Sequence, residues 1–263
     1  MQSIKNKLLF NTHYVLNSVI PLQTVSQFKE NGTITPEEFV KACDLLILKC
    51  PNWSWSSGKQ SLLKSYLPSD KQFIIIKSVP CHQKYGMDNN HMFVKSVNDL
   101  SIISFINTEN KQQLQENKKQ ENKKLDLSSF EEDLQRDDIS TALETALDIV
   151  SNRTYDITIT YDNYYRCSRV WLYGYSDTIR RPLTSDEIFE DISKEYVNTT
   201  VTYEVHPHLD LYWVSIHPCK HANTMKTMID RLNNVRVDQY MFVFLKFIQT
   251  VIPFIEYDWS SSI

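Results

Sequence analysis

Glycine is scarce in this sequence, and its scarcity argues against several enzyme classes. The 263 residues include 4 glycines, whereas average usage of about 7% would give roughly four times as many. Loops that bind phosphate through backbone amides need closely spaced glycines, but here they lie far apart, at Gly32, Gly58, Gly86 and Gly174. The sequence therefore contains no Walker loop or dinucleotide fingerprint. A kinase, an NTPase or a Rossmann oxidoreductase is not expected, and any chemistry has to come from side chains.

The sequence also lacks an excess of basic charge and a pattern of paired cysteines. Its formal net charge of -4 argues against a dedicated nucleic-acid binder, which needs a basic face to neutralise phosphates. The cysteines are odd in number and include no C-x-x-C spacing, which favours a reducing compartment over a disulfide framework. They are Cys43, Cys50, Cys81, Cys167 and Cys219. We therefore expect a cytoplasmic protein.

Long apolar runs are missing as well. The first ten residues contain no apolar segment of the kind that precedes a signal-peptide cleavage site. The most apolar stretch, 240–255, is shorter than the roughly 20 residues that cross a bilayer, and it carries Lys246 and Gln249. This stretch is expected to be a buried core helix.

Residues 1–20 have the pattern of an amphipathic helix. Its apolar residues recur at spacings of three, four and seven, while Lys5, Lys7 and Asn11 lie off that stripe. The apolar positions are Ile4, Leu8, Leu9, Val15, Leu16, Val19 and Ile20. Two interpretations remain open at this point: a helix that lies in a membrane interface, or a helix that packs on the domain.

Two segments, 21–84 and 151–263, predict a single α+β core with an antiparallel sheet flanked by helices. Thr35 and Glu38 form a capping box that starts a helix, and Thr184 and Glu187 form a second one. Trp53 and Trp55 are assigned to the core. Residues rich in β-branched or alternating apolar side chains predict strands at 71–79, 153–162, 169–175, 199–205 and 211–216. Further helices are predicted at 222–233 and 237–253, and the strand at 153–162 is expected to be half-buried.

The segment 85–150 is predicted to be a flexible insertion. Between 107 and 124 it has almost no apolar residues, so burial cannot offset the entropy of ordering it. From 126 to 138 it is acidic with interleaved apolar residues, and a short helix is expected at 139–150. The residues of interest are Leu127, Phe130, Glu131, Glu132, Asp133 and Leu134. This stretch is either a docking motif or a solvated linker.

One short window holds four of the seven histidines together with a cysteine: His206, His208, His217, Cys219 and His221. Zinc favours imidazole and thiolate ligands, but the spacing is not that of a standard structural zinc site. A cysteine hydrolase usually takes its histidine from a remote position. A thioester carrier needs an accessible thiolate, and Lys220 or a protonated His217 or His221 would lower the cysteine pKa. From the residues alone these interpretations, and that of a buried structural cysteine, remain open.

Several blocks of the sequence, in order along the chain, resemble the autophagy-related protein 3 family. The most specific is V-S-I-H-P-C-K-H-A-N-T-M-K at 214–226, and F-L-K-F-I-Q-T-V-I-P-F-I-E-Y-D-W at 244–259 is another. Others lie at 34–40, 71–81, 153–162 and 182–193. The segment from about 85 to 150 resembles the family only in its position and acidity.

This resemblance implies a ubiquitin-conjugating-enzyme-like core with a disordered insertion. Cys219 of the H-P-C motif would carry a ubiquitin-like autophagy modifier as a thioester and pass it to the amine of phosphatidylethanolamine. Thr200 would orient the cysteine or the amine, and His217 and His221 would be loop-shaping or electrostatic neighbours. No cofactor and no metal are expected. The competing hypothesis is a non-catalytic adaptor with the same fold.

The resemblance also implies partners for the two ambiguous segments. The N-terminal helix would bind a curved membrane containing phosphatidylethanolamine through Ile4, Leu8, Val15 and Val19. The acidic stretch of the insertion would dock the activating enzyme. A scaffold conjugate is a further possible partner, nucleic acid is not, and the location implied is the cytoplasm with peripheral association with autophagic membranes. The W-x-x-L-like sequence 213–216 lies in a predicted strand, where Trp213 is expected to be core.

Overall fold

The structure is a computed structural model that describes residues 20–81, 153–176, 181–197, 199–232 and 234–253. Its strands are β1 (Ser54–Ser56), β2 (Phe73–Cys81), β3 (Arg153–Asp162), β4 (Cys167–Ser176), β5 (Val201–Val205) and β6 (Tyr212–Ile216). Its α-helices are α1 (Phe28–Asn31), α2 (Pro36–Lys49), α3 (Ser185–Glu190), α4 (Lys194–Val197), α5 (His221–Leu232) and α6 (Tyr240–Val251). Short 3-10 turns occupy Gln60–Leu62, Pro218–Lys220 and Val237–Gln239. The fold is α+β, as predicted.

Within the described residues, six strands form one antiparallel sheet in the order β1-β2-β3-β4-β6-β5. β2 and β3 pair along most of their length, with an irregularity at Ser78, whose φ is 55°. Cys81 at the end of β2 pairs with Arg153 at the start of β3. The described residues on either side of the 82–152 segment are therefore neighbours in the sheet.

One face of the sheet carries the main core. Alternate residues of β3, including Tyr155, Ile157 and Ile159, are buried there together with apolar residues of α2, α5 and α6. The predicted capping box starts α2: the Thr35 hydroxyl accepts from the Glu38 amide at 3.1 Å, and the Thr35 amide donates to the Glu38 carboxylate at 2.8 Å. The cap fixes where the helix begins, and its apolar stripe then faces the sheet.

The opposite face of the sheet is also covered along the second part of β3, so the prediction of a half-buried strand is wrong for 157–162, whereas Thr154 and Asp156 at its start are only partly buried. Thr158, Thr160 and Asp162 point to this second face and are all buried. The loop after β1 and the loop after β5 lie over them, since Lys59 donates its amide to the His208 carbonyl at 2.8 Å. Alternation in the sequence shows which residues share a face, but not what covers each face.

Of the tryptophans assigned to the core, two are fully buried and one lies closer to the surface. Trp53 and Trp213 are buried as predicted. Trp55 lies at the edge of the core, so its assignment is only partly correct: it is partly buried and meets the Phe39 ring edge-on at 6.1 Å. Its indole donates to Asp44 at 2.8 Å and lies under the Lys71 ammonium. The helices expected at 1–20 and 139–150, and the insertion expected at 85–150, fall outside the described residues apart from Ile20. Over the described part of the chain, no helix combines the length and the apolarity needed to cross a bilayer.

Candidate functional site

Cys219 lies in the 3-10 turn between β6 and α5, and it differs from the other cysteines in its exposure. Cys219 is exposed, whereas Cys43, Cys50, Cys81 and Cys167 are buried. Burial raises the pKa of the Cys43 and Cys167 thiols well above the usual value, which keeps them protonated and unreactive. Cys219 is therefore the accessible thiol among the five cysteines.

His217 directly follows β6 and fixes the start of the cysteine turn. Its amide donates to the Thr200 carbonyl at 2.6 Å, which extends the pairing of β6 with β5 by one step. Its imidazole Nδ1 accepts from the Cys219 amide at 3.3 Å, so a neutral ring carries its proton on Nε2. The backbone of Cys219 is thus tied to the ring two residues before it.

His221 begins α5 and fixes the other end of the turn. The ring is 1% exposed, and its Nδ1 lies 3.0 Å from the Ser168 carbonyl of β4, to which it must donate. Its ring also contacts Phe244 and Phe247 of α6, with centroid distances of 5.6 and 5.1 Å. Burial lowers the pKa of His221 to about 4, so the ring is neutral at pH 7. The expectation of a protonated His221 beside Cys219 is therefore wrong at pH 7, because burial keeps the ring uncharged.

Thr200 lies directly before β5, opposite His217. Its carbonyl accepts from the His217 amide, and its hydroxyl donates to the Tyr196 carbonyl at 3.3 Å. The side chain is buried. The structure thus brings Thr200 next to the residue that holds the cysteine turn, while its role in orienting a substrate stays a prediction.

Tyr165 also forms part of this site, although no motif of the sequence marks it. Its ring meets the His217 ring edge-on at 5.3 Å. Burial, reinforced by the negative charge that Cys219 and Asp162 carry when ionised, raises the pKa of Tyr165 to about 12. The phenol is therefore neutral at pH 7 and able to donate a hydrogen bond. The Y-D-N-Y-Y-R sequence marks a turn between strands, but it does not indicate which loop that turn will meet.

A buried ionic network holds the turn that carries Tyr165. The Asp162 carboxylate accepts from the amides of Tyr164 and Tyr165 at 3.0 and 3.1 Å. Arg169 lies 3.7 Å from the same carboxylate, pairs with Glu204 and donates to the Ser215 hydroxyl at 2.7 Å. Its guanidinium also stacks on Trp171 at 4.4 Å. Because this arginine has partners on β3, β5 and β6, it fixes the tyrosine turn relative to the strand that leads to Cys219.

His206 and His208 do not belong to the site. They lie on the second face of the sheet, where His206 Nε2 is 2.9 Å from the Thr158 hydroxyl and both rings contact Phe73. Burial lowers the pKa of His208 to about 3. The residues that the structure describes contain no group of three or more His, Cys, Asp or Glu side chains placed to hold a metal ion. The histidine-rich window thus folds into two separate groups.

A cavity of about 490 Å³ lies on the second face, lined by residues that include Tyr66, Asp162, Arg169 and His208. Cys219 is not among its lining residues and sits on the outer surface instead. An exposed position suits a nucleophile whose partners are proteins or lipid headgroups, since a small substrate would normally be enclosed in a pocket.

The proposed membrane-binding and docking residues, at 4–19 and 127–134, lie outside the described residues.

Comparison of the sequence with known proteins places the chain in a family. Residues 38–259 match the family described as autophagocytosis associated protein, active-site domain. Autophagy-related protein 3 from Dictyostelium discoideum is 35% identical over 93% of this chain and 94% of its own length. The protein of the same name from Arabidopsis thaliana is 36% identical over 90% of this chain and 90% of its own length. The one from Schizosaccharomyces pombe is 33% identical over 92% of this chain and 94% of its own length.

The chain belongs to the autophagy-related protein 3 family. The matched region contains the Cys219 turn, Thr200 and Tyr165. Membership supports a conjugating function of the ubiquitin-conjugating type in autophagy, with an autophagy ubiquitin-like modifier as partner.

Proposed function

We propose that this member of the autophagy-related protein 3 family carries the modifier as a thioester on Cys219 and transfers it to the amine of phosphatidylethanolamine. The observation that supports this most is the contrast among the cysteines. Cys219 is exposed on a turn held at both ends, and the others are buried. A carrier thiol needs both features, access for large partners and a fixed position.

The proposed reaction has two steps. The Cys219 thiolate attacks the thioester carbonyl of the modifier on its activating enzyme, a new C–S bond forms, the old C–S bond breaks, and the activating enzyme's cysteine leaves as a thiolate. The neutral lipid amine then attacks the same carbonyl, an amide forms and the C–S bond breaks, and the proton that the amine loses ends on the Cys219 sulfur, which regenerates the thiol. No cofactor is required, because the carbonyl arrives already activated.

The residues around Cys219 contribute position and orientation. The His217 ring fixes the Cys219 amide, and the His221 ring fixes the start of α5. The Tyr165 ring packs against the His217 ring. Placing reacting groups in a near-attack geometry supplies a large share of many rate enhancements. We assign these residues positioning roles, and we expect the sulfur to be the reacting atom.

We extend the proposal to the two segments outside the described residues. The amphipathic pattern of 1–20 supports binding to curved membranes containing phosphatidylethanolamine. The acidic stretch at 126–138 supports docking of the activating enzyme. Together these give a cytoplasmic enzyme that associates peripherally with autophagic membranes, with a scaffold conjugate as a further partner.

A reconstituted lipidation reaction tests the proposal. Full-length protein is incubated with modifier, activating enzyme, ATP and vesicles containing phosphatidylethanolamine, and the lipid-linked modifier is separated by gel mobility. We expect conversion by the wild type and by the control Cys43→Ala, whose thiol is buried in α2, and none by Cys219→Ala. Conversion by Cys219→Ala at the wild-type rate would overturn the proposal. Full cellular function of that variant would favour the adaptor instead.

A further inference from the structure

A short hairpin lies between the N-terminal segment and α2. It spans Gln27–Ile34, contains α1, and is closed by a bridge between Gln27 and Thr33. Gly32 ends α1 with a φ of +78°, a left-handed conformation that favours glycine. Its amide donates to the Phe28 carbonyl at 3.2 Å, so the turn is tight.

Gly32 packs directly on the first turn of α5. A Cβ at this position would clash with the Ala222 carbonyl oxygen and lie 2.7 Å from the Lys226 nitrogen. In an α-helix these two atoms form one hydrogen bond, because the amide of residue i donates to the carbonyl of residue i−4. Any side chain at Gly32 would therefore push on this backbone bond in the first turn of α5, whose acceptor residue, Ala222, lies three residues after Cys219.

The same hairpin also contacts the other side of the site. The Ile34 amide donates to the Arg166 carbonyl at 2.9 Å, and Arg166 follows Tyr165 in the turn between β3 and β4. Phe28 meets Tyr240 of α6 edge-on at 6.2 Å, which fixes the base of the hairpin in the core. One element thus contacts both the tyrosine turn and the helix that follows the cysteine.

We propose that this hairpin positions the Cys219 turn for acyl transfer, with Gly32 as its critical positioning residue. The inference rests on the proposed function of Cys219. His217 and His221 hold the turn to β5 and β4, and the hairpin sets where α5 starts relative to the tyrosine turn. A shift of α5 moves His221 and, with it, the sulfur two residues earlier.

The chain offers a matched control for Gly32. Gly58 also has a left-handed φ, +67°, and a Cβ there would lie 2.5 Å from the His208 carbonyl and 3.1 Å from the Phe73 ring. It therefore imposes similar backbone strain and crowding, but on the second face of the sheet. Gly32→Ala and Gly58→Ala are expected to lose comparable stability, and only Gly32→Ala should disturb the site.

The test compares three readouts on the full-length proteins, at a temperature where both variants are folded. In single-turnover transfer from loaded enzyme to phosphatidylethanolamine vesicles, the maximal rate of Gly32→Ala should fall about ten- to a hundredfold, because displacements near 1 Å have effects of that size. The vesicle concentration giving half-maximal rate should stay unchanged. Gly58→Ala should transfer at close to the wild-type rate.

The other two readouts do not depend on the proposed function. Iodoacetamide reports on Cys219, the exposed cysteine, and hydrogen exchange reports on the Lys226 amide. We expect Gly32→Ala to change the alkylation rate and to lose protection at Lys226, and Gly58→Ala to match the wild type in both. Equal exchange and alkylation in the two variants would overturn the inference. A wild type that forms no thioester would refute the proposed function instead, and these two readouts would still decide the role of the hairpin.

A second variant keeps the inference testable if Gly32→Ala does not fold. Thr33→Val removes the hydroxyl, which donates to the Asn31 side-chain oxygen at 2.6 Å and also lies 3.2 Å from the Gln23 side-chain oxygen, and it leaves the backbone unchanged. Its control, Thr158→Val, removes a buried hydroxyl that lies 2.9 Å from His206 on the second face. Slower transfer and faster Lys226 exchange in Thr33→Val than in Thr158→Val would support the inference, and equal values would overturn it.

Discussion

Replacing His221 should change how the stability of the protein depends on pH. Its ring is buried between α6 and β4, donates from Nδ1 to the Ser168 carbonyl, and has a pKa lowered to about 4. His221→Phe keeps an aromatic ring against Phe244 and Phe247 but removes both the donor and the titrating group. The variant therefore separates packing from hydrogen bonding and ionisation.

The sign and size of the effect follow from the two pKa values. An unfolded histidine titrates near 6.5, so between about pH 6.5 and 4 the unfolded chain binds a proton that folded His221 does not. Stability from this group is fully present above that range and is lost as pH falls, by about 2 kcal/mol at pH 5 and about 3 kcal/mol below pH 4. At pH 7 the variant instead loses about 1–3 kcal/mol, because the buried Ser168 carbonyl loses its donor.

Urea unfolding of both proteins at pH 7, 6 and 5 measures this difference. The wild type should be more stable at pH 7, and the gap should shrink by about 2 kcal/mol at pH 5. His206 and His208 also have lowered pKa values, but they are present in both proteins and cancel in the comparison. Stability curves that stay parallel from pH 7 to pH 5 would refute the reasoning that His221 is buried and neutral.

Two further predictions concern the transfer step and the membrane. Thr200→Val keeps the backbone carbonyl that accepts from the His217 amide but removes the side-chain hydroxyl. The rate of lipid transfer should therefore fall severalfold, while the rate of thioester loading stays unchanged. Thr200→Ser, which keeps the hydroxyl, should transfer at close to the wild-type rate. Equal transfer by the Val and Ser variants would contradict a role for the hydroxyl. Leu8→Asp should abolish binding to small vesicles in a flotation assay, and lipidation with it, without affecting loading, whereas Asn11→Asp on the polar face should bind normally. Loss of loading in Leu8→Asp would place the helix in the core.

Local features of the fold could be predicted from the sequence. The capping boxes at Thr35 and Thr184 correctly gave the starts of two helices, because a cap depends on residues three positions apart. The alternation in β3 correctly gave the residues of its core face. The second face was missed because it is covered by loops distant in the sequence, such as the one that places Lys59 against His208. The partial exposure of Trp55 was missed for a related reason, since its polar partners Asp44 and Lys71 come from other elements.

At the site too, features set by nearby residues could be predicted, and features set by distant residues could not. The H-P-C block singled out Cys219, and its exposure in the structure agrees with the proposed role. Tyr165 and Arg169 lie about fifty residues earlier in the sequence and reach the site only because β4 pairs with β6. The character of His221 also depends on tertiary structure, because α6 and β4 bury it. Sequence spacing alone could not distinguish this buried ring from a charged neighbour.

The most direct measurement is to map the covalent bond between enzyme and modifier. Cys219→Ser is incubated with modifier, activating enzyme and ATP, and the trapped conjugate is digested and sequenced by mass spectrometry. We predict an ester between the modifier's terminal carboxyl and the hydroxyl that the substitution introduces, stable to thiol reductant and cleaved by base, where the wild type gives a reductant-sensitive adduct. A reductant-sensitive adduct on the variant, mapped to any other cysteine, would contradict the account.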